Sequence, residues 1–171
     1  MQLERATTAD LPTLHALVER AYRGDTARAG WSHEADLLTG DRTSVAELQS
    51  FLDAGDHLLV WREAGTIRAC VRLVQLSADL VYLGMLTVDP SLQGEGLGKW
   101  LLVAAENYAR EVLGAQRMEM QVFSRRRELL SFYNRRDYRP TGERRAFPYD
   151  EWPHAGALFD DLEFTVLEKR L

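Results

Sequence analysis

One cysteine, Cys70, stands in a chain of 171 residues that has neither a long apolar run nor an excess of basic charge. A single cysteine excludes an internal disulfide bond and a metal cluster built on several cysteines. No apolar run approaches the ~18 residues that a membrane-spanning helix needs. The net charge of -5 makes nucleic acid and anionic membranes poor partners. We therefore expect a globular protein that binds neither.

Signals for export and for metal binding are missing as well. The first ten residues, M-Q-L-E-R-A-T-T-A-D, lack the basic region and apolar core of a secretory signal. His15, His57 and His154 have no mutual spacing typical of metal ligands. Cys70 lies in an apolar strand pattern, so we expect a buried structural thiol there. These features predict a cytoplasmic protein without a bound metal.

The hydrophobic pattern predicts one domain, residues 1–171, that contains both helices and strands. Apolar residues make up 46% of the chain, and its length allows a sizeable core. The predicted strands are Gln2–Arg5, His57–Arg62, Thr66–Leu76, Val81–Val88, Arg117–Phe123, Tyr138–Phe147 and Leu162–Leu167. Four helices are predicted. Two begin at the capping patterns Thr7-x-x-Asp10 and Ser44-x-x-Glu47, and the other two cover Leu97–Leu113 and Glu128–Arg135. This order indicates an α+β fold around a mostly antiparallel sheet.

Three glycines at alternate positions follow the Val81–Val88 strand pattern. The segment Leu83–Leu102 reads L-G-M-L-T-V-D-P-S-L-Q-G-E-G-L-G-K-W-L-L. A strand, a glycine loop and a helix N-terminus together form an anion site, because successive backbone N–H groups and the helix dipole favour negative charge. Glycine matters because a side chain would keep a phosphate away from those N–H groups. We expect this loop to bind a pyrophosphate.

Two usual interpretations of a glycine-rich loop fail on spacing. A dinucleotide fingerprint needs glycine three residues after Gly96, where Lys99 stands. A P-loop needs Ser or Thr where Trp100 stands. The remaining pattern, Q-x-x-G-x-G beginning at Gln93 after V-D-P, resembles the acyl-CoA pyrophosphate loop of the GNAT superfamily of N-acyltransferases.

The resemblance covers essentially the whole chain and implies a GNAT-like fold, a mixed, mostly antiparallel sheet flanked by helices on both faces. It also implies acetyl-CoA as co-substrate, with the pantetheine arm along a strand and the pyrophosphate on the loop amides. An exposed strand edge suits pantetheine, because that arm resembles a peptide. On this sequence the implied contacts fall on Leu86, Thr87, Val88, Gln93, Gly94, Glu95, Gly96, Leu97, Gly98 and Lys99.

A second motif, L-L-S-F-Y-N-R-R-D-Y over residues 129–138, resembles the F-Y-x-x-x-G-F segment of the same family. There the tyrosine hydroxyl lies near the thioester sulfur, so the resemblance assigns Tyr133 as general acid toward the leaving thiolate. The alternative is an aromatic side chain that packs the end of a helix. Asp137 replaces the family's glycine, so the turn must place Asp in the left-handed region or change its shape.

Arg126 stands where the family often has asparagine, seven residues before the tyrosine. With Arg125 and Arg127 it forms a basic cluster. A guanidinium there can bind the phosphates of the co-substrate. A solvated basic loop is an equal alternative.

The acceptor side is less defined. The connection after the first helix holds Trp31, His33, Glu34 and Asp36 close together, a set that suits a cationic amine. Glu34 or His33, directly or through water, can take the proton that the amine loses, and we favour Glu34 as the catalytic residue. A solvated acidic loop is the alternative.

These patterns predict an N-acetyltransferase that moves an acetyl group from acetyl-CoA to a primary amine of a small molecule or peptide. The amine would attack the thioester directly in a ternary complex, with a backbone N–H of residues 86–88 polarising the carbonyl. A non-catalytic acyl-CoA sensor is the alternative, and a nucleotide-binding regulatory domain is a third. Exposed edge strands leave homodimer formation open.

Overall fold

The structure is a computed structural model that describes residues 1–23, 27 and 33–171. Within these residues, seven strands form one sheet in the order β1-β2-β3-β4-β5-β7-β6. The strands are β1 (Glu4–Arg5), β2 (His57–Glu63), β3 (Thr66–Gln75), β4 (Leu80–Val88), β5 (Arg117–Phe123), β6 (Arg139–Ala146) and β7 (Glu163–Arg170). The helices are α1 (Leu11–Tyr22), α2 (Val45–Asp53), α3 (Leu97–Glu111) and α4 (Arg127–Asn134). All neighbouring strands pair antiparallel except β4 and β5, so the predicted fold class is confirmed.

Alternating residues of the inner strands bury both faces of the sheet. In β2, Leu59 and Trp61 belong to one core and Leu58 and Val60 to the other. The first core packs against α3, and the second packs against α1 and α2. Cys70 lies in the second core with no exposed surface, as expected for a structural thiol.

The predicted helix starts are present. The Thr7 backbone N–H donates to the Asp10 carboxylate at 2.8 Å, which fixes the turn before α1. Ser44 Oγ accepts from the Glu47 backbone N–H at 3.0 Å and caps α2. The Glu47 carboxylate accepts instead from the Thr43 hydroxyl, at 2.6 Å. Both helices therefore begin where local sequence places them.

Strand lengths differ from the predictions at the ends of the chain. The first strand is only Glu4–Arg5, and the last continues to Arg170 although its apolar pattern stops at Leu167. Its final residues stay in the ladder through main-chain pairing with β5, and Arg117 donates to Glu168 at 3.1 Å. Because backbone pairing needs no apolar side chain, hydrophobic periodicity underestimates the length of such a strand.

Strands β4 and β5 separate soon after they meet. Their parallel pairing covers only three residue pairs, from Leu80 with Arg117 to Tyr82 with Glu119. Both strands then continue, and from Leu83 onward β4 pairs with no described strand on this side. The sheet therefore opens into a cleft in its middle, beside a strand whose backbone groups are available.

Candidate active site

A cavity of about 730 Å³ occupies this opening. The floor comes from β4 and β5, and further walls come from α1, α2, α4 and the 33–43 segment. Side chains with chemistry relevant to a reaction line the cavity, namely Tyr22, Arg23, Glu34, Arg42, Arg72, Tyr82, Arg126 and Tyr133. The chain brings these residues together from distant positions.

A bulge in β4 shapes the cavity floor. Cys70 pairs with Thr87 and Arg72 with Gly84, so Met85 and Leu86 together stand opposite one residue of β3. Met85 takes a positive φ of 51°, which is unusual for a residue with a side chain. Such a bulge turns backbone groups away from the ladder. It occurs at the strand segment predicted to contact pantetheine.

Tyr22 stabilises this bulge from α1. Its hydroxyl donates to the Leu86 carbonyl at 2.8 Å, and burial raises the Tyr22 pKa to about 12. Thr87 turns to the other side and donates to the Met85 carbonyl at 3.0 Å. Sequence reasoning missed Tyr22, because its only signal was an aromatic residue at the end of an apolar helical stripe.

The glycine loop is anchored by Asp89 at its start. One carboxylate oxygen accepts from the Ser91 backbone N–H at 3.0 Å, and the other accepts from Arg68 at 2.9 Å. Val88 ends the strand, and its carbonyl accepts from the Gln93 side chain at 3.4 Å. The loop therefore leaves the sheet in a fixed direction.

The loop passes into α3 through Gly96, whose φ of 80° favours glycine. The first N–H donor within the helix is that of Trp100, which donates to the Gly96 carbonyl at 3.0 Å. The preceding helical N–H groups, those of Leu97, Gly98 and Lys99, have no intrahelical acceptor because the helix begins there. They are the groups that an anion at this end of the helix would use.

Neither the backbone conformation nor the packing of the chain requires glycine at position 98. It lies in the first turn of α3 without a positive φ, and an added Cβ would meet no atom within 4 Å. Glycine at a helical position costs about 1 kcal/mol relative to alanine. Lys99 follows on the exposed surface, at the helix end where a cation is least favoured by the dipole. Glycine at position 98 and lysine at position 99 are both consistent with an anion that approaches the backbone closely.

Tyr133 lies on α4, buried in the cavity wall. Its ring makes edge contacts with Phe132 and Tyr138, at centroid distances of 5.2 and 5.8 Å. Its hydroxyl forms no hydrogen bond with the described residues. Burial raises the Tyr133 pKa well above its usual value of 10, so the phenol keeps its proton at neutral pH. The side chain thus fits a proton donor as well as a packing residue.

Asp137 ends the same motif in the left-handed region, with a φ of 69°. Of the two outcomes expected when aspartate replaces glycine, the structure shows the left-handed conformation and not a turn of changed shape. The motif's turn is therefore kept without its glycine, and the Tyr138 N–H returns to the Tyr133 carbonyl at 3.2 Å.

Glu34 lies in the cavity wall and is held by arginine. Its Oε2 accepts from Arg23 Nη1 at 2.7 Å, and Arg42 Nε lies 3.7 Å from the same oxygen. Its Oε1 accepts no hydrogen bond from the described residues. The carboxylate is therefore fixed in place with one oxygen open.

Arg126 also lies in the cavity wall, and its guanidinium donates to the His33 carbonyl. This contact connects the start of α4 to the segment that holds Glu34. Its predicted contact with the phosphates of the co-substrate stays a prediction. Of the other acceptor-side residues, Asp36 is exposed and does not line the cavity, and Trp31 lies outside the described residues.

The family model described as the acetyltransferase (GNAT) family matches residues 13–138, more than half of the chain. The chain belongs to the GNAT family of acetyltransferases. The resemblance inferred from the two motifs is thereby confirmed. A search of curated protein sequences found no significant match.

Solved structures of this GNAT acetyltransferase's relatives share its fold. An IAA acetyltransferase from Bacillus cereus is 15% identical, with a TM-score of 0.71 and coverage of 99% of this chain and 98% of that one. A ribosomal-protein-alanine N-acetyltransferase from Brucella melitensis is 17% identical, with a TM-score of 0.66 and full coverage of both chains (100%). A GNAT acetyltransferase from Elizabethkingia anophelis with acetyl-CoA bound is 17% identical, with a TM-score of 0.62 and coverage of 80% of this chain and 89% of that one. At these identities the likeness concerns the fold, and the named acceptors differ.

Two absences hold within the described ranges 1–23, 27 and 33–171. No group of three or more His, Cys, Asp or Glu side chains is placed to bind a metal ion. None of the helices there has the length and apolar composition needed to cross a bilayer.

Proposed function

We propose that this GNAT acetyltransferase transfers an acetyl group from acetyl-CoA to a primary amine by direct attack within a ternary complex. The observation that carries the proposal is that the glycine loop follows directly on β4, the strand with the open edge, and leads into the N-terminus of α3. Tyr133 lines the cavity beside that open edge.

The donor side would be held mainly by backbone groups. The N–H groups of residues 94–99 would bind the pyrophosphate, and the absence of a side chain at Gly98 supports close approach there. The open edge of β4 beyond Leu83 would pair with the pantetheine arm. Gln93 and Lys99 would border the phosphates, and Arg126 remains a further candidate for them.

Acetyl-CoA supplies an activated acetyl thioester to the acceptor amine. A backbone N–H of residues 86–88, turned by the bulge, would polarise the thioester carbonyl. The Tyr133 phenol would donate a proton or hydrogen bond to the leaving thiolate, which is consistent with its raised pKa. The Oε1 atom of Glu34 would accept the proton that the amine loses, directly or through a water molecule.

The first experiment is an assay of CoA thiol release from acetyl-CoA across a panel of amines, with a control that lacks the acceptor. We expect one class of amine to accelerate release, and mass spectrometry should find the acetylated amine in equal amount. Binding of acetyl-CoA without release for any amine would contradict catalysis and favour a sensor. Failure to bind acetyl-CoA would contradict the role of the glycine loop.

A further inference from the structure

We propose that the acceptor carries a carboxylate beside its amine, as an α-amino acid does, and that Arg42 binds this carboxylate. The inference rests on the proposed acetyl transfer and assigns the acceptor class of the same cavity. It begins from an imbalance of charge in the cavity wall.

Two guanidinium groups share one carboxylate in this wall. Arg23 Nη1 lies 2.7 Å from Glu34 Oε2, and Arg23 Nε also donates to the Gly40 carbonyl at 2.7 Å. Arg42 Nε lies 3.7 Å from the same Glu34 oxygen, beyond hydrogen-bond distance. Because Glu34 neutralises Arg23, one positive charge remains at Arg42.

The Arg42 guanidinium is also poorly satisfied by hydrogen bonds. It donates none to the described residues, and its other contact is with the Tyr22 ring, 5.3 Å from the centroid. Arg72 in the same cavity differs, since it donates to Asp56 at 2.7 Å and lies 3.5 Å from the centroid of the Phe51 ring. A guanidinium has five N–H donors in a planar fork that matches a carboxylate. Arg42 therefore has the free donors that a bound carboxylate would use.

No other acidic residue of the cavity forms an ion pair with Arg42 among the described residues, and Glu47 acts on its charge only at longer range. Glu47 accepts from the Thr43 hydroxyl at 2.6 Å, and its position is set by α2. Asp41 and Glu151 are exposed at the rim, and no ion pair connects either of them to Arg42 within the described residues. A negative group from an acceptor would complete this part of the wall.

The position of Arg42 is fixed next to the reaction centre. The Glu19 carboxylate accepts from the backbone N–H groups of Arg42 and Thr43, at 2.8 and 2.9 Å, and so connects this segment to α1. The Tyr22 ring beneath the guanidinium belongs to the side chain that donates to the Leu86 carbonyl. An anion on Arg42 thus lies one side chain away from the bulge in β4.

The arrangement complements both charges of an amino acid. The open Oε1 of Glu34 would face the ammonium group, and Arg42 would take the carboxylate. Since the two side chains approach to 3.7 Å, the two groups they bind should be adjacent in the acceptor. This favours an amine with a neighbouring carboxylate over a simple alkylamine or a polyamine.

The test uses triplets of acceptors that differ only at the carboxylate. L-leucine, L-leucinamide and isopentylamine form one set, and L-phenylalanine, its amide and phenethylamine form another. CoA thiol release gives kcat/KM for each with wild type, Arg42→Met, Arg42→Lys and the control Arg170→Met, which removes an exposed charge from the end of β7. The ratio of acid to amide is compared between variants, so that intrinsic amine reactivity and the fraction of folded protein cancel.

We expect wild type to prefer the acid over its amide by about 30-fold, the size of a charged, bidentate interaction. Arg42→Met should bring this ratio close to unity, Arg42→Lys should retain part of it, and Arg170→Met should leave it unchanged. Equal use of acids and amides by wild type, or the same ratio in Arg42→Met, overturns the inference while acetyl transfer itself stands. If none of these amines releases CoA while another amine of the first panel does, the inference is overturned and acetyl transfer stands. If no amine of either experiment releases CoA, the inference and the proposed function are overturned together.

Discussion

The glycine loop before α3 and the cavity beside β4 are built by the chain in opposite ways. The loop is contiguous: residues 89–99 contain its anchor, its glycines and the first turn of the helix. The cavity is assembled from α1, the 33–43 segment, β4, β5 and α4. The loop uses backbone groups, whereas the cavity uses side chains that pair with one another across long sequence separations.

This difference distinguishes binding by backbone groups, which depends little on side chains, from binding by a particular set of side chains. Backbone N–H groups recognise a phosphate whatever the neighbouring side chains are, so a short pattern is enough to encode the proposed donor site. In the proposed function, acceptor recognition depends on how the charges of the folded cavity are paired, with Glu34 bonded to Arg23 and Arg42 beyond hydrogen-bond distance of the same carboxylate. We therefore expect loop substitutions to change the affinity for acetyl-CoA, and cavity substitutions to change turnover and acceptor choice.

The largest effect is expected at Tyr133. Tyr133→Phe keeps the ring that packs on Tyr138 and removes only the hydroxyl, so kcat should fall by about 100-fold while the Kd for acetyl-CoA stays within twofold. Steady-state kinetics and calorimetric titration give the two values. The matched control Tyr108→Phe removes a hydroxyl that bonds to His57, outside the cavity, and should retain turnover. Unchanged kcat in Tyr133→Phe would remove this residue from the mechanism.

The pH profile sharpens the same assignment. Burial raises the Tyr133 pKa above the usual value of 10, and the protonated phenol is the active form. Wild-type kcat should therefore show no decline as pH approaches the usual tyrosine value, provided that the protein remains folded. A decline in kcat with an ordinary tyrosine pKa, absent from Tyr133→Phe, would contradict the buried state of this group.

Glu34→Gln should have the next largest effect. It keeps the size of the side chain and a hydrogen-bond acceptor for Arg23, but it removes the proposed base, so kcat/KM should fall by about 30-fold. Asp41→Asn removes an exposed carboxylate at the cavity rim and serves as the control. Equal, small losses in both variants would reduce Glu34 to a residue that positions Arg23.

Gly98→Ala should affect binding and stability in opposite directions. The added methyl meets no atom of the chain and favours the helix, so the free energy of unfolding should rise by about 0.5–1 kcal/mol. The same methyl would stand between the loop amides and a pyrophosphate, and the Kd for acetyl-CoA should increase about tenfold. Val103→Ala on the exposed side of α3 is the control and should leave the Kd unchanged. A higher free energy of unfolding together with an unaltered Kd for acetyl-CoA would argue against a pyrophosphate at this turn.

The smallest effect is expected at Asp137. Its left-handed conformation is natural for glycine, so Asp137→Gly should stabilise the free protein by about 0.5 kcal/mol and leave kcat unchanged. Asp137→Ala, which has neither the freedom of glycine nor a polar side chain, should destabilise it. Denaturant unfolding of the three proteins gives the order, and a less stable glycine variant would show that the aspartate side chain supports the turn.

The parts of the fold that sequence predicts are those set by local rules. The caps at Thr7 and Ser44 and the glycine loop all depend on residues within a few positions of one another. The extension of β7 to Arg170 was missed because charged residues stay in the ladder through backbone pairing.

The lining of the cavity could be predicted only in part. Glu34, a carboxylate in a polar connection, and Tyr133, the tyrosine of the second motif, both line it, and their proposed roles stay predictions. Arg42 and Tyr22 carry no local signal, because their roles come from a carboxylate 3.7 Å from one and a strand carbonyl 2.8 Å from the other. The aromatic and acidic residues of the sequence indicated a cationic amine, and the role proposed for Arg42 adds a carboxylate beside that amine.

A crystal structure of the protein with bound CoA tests the central claim most directly, because it locates both ends of the donor at once. The account predicts the pyrophosphate on the N–H groups of residues 94–99, the pantetheine along the open edge of β4, and the sulfur within hydrogen-bond distance of the Tyr133 hydroxyl. A CoA molecule bound elsewhere, or a sulfur far from Tyr133 with the pyrophosphate in place, would contradict it.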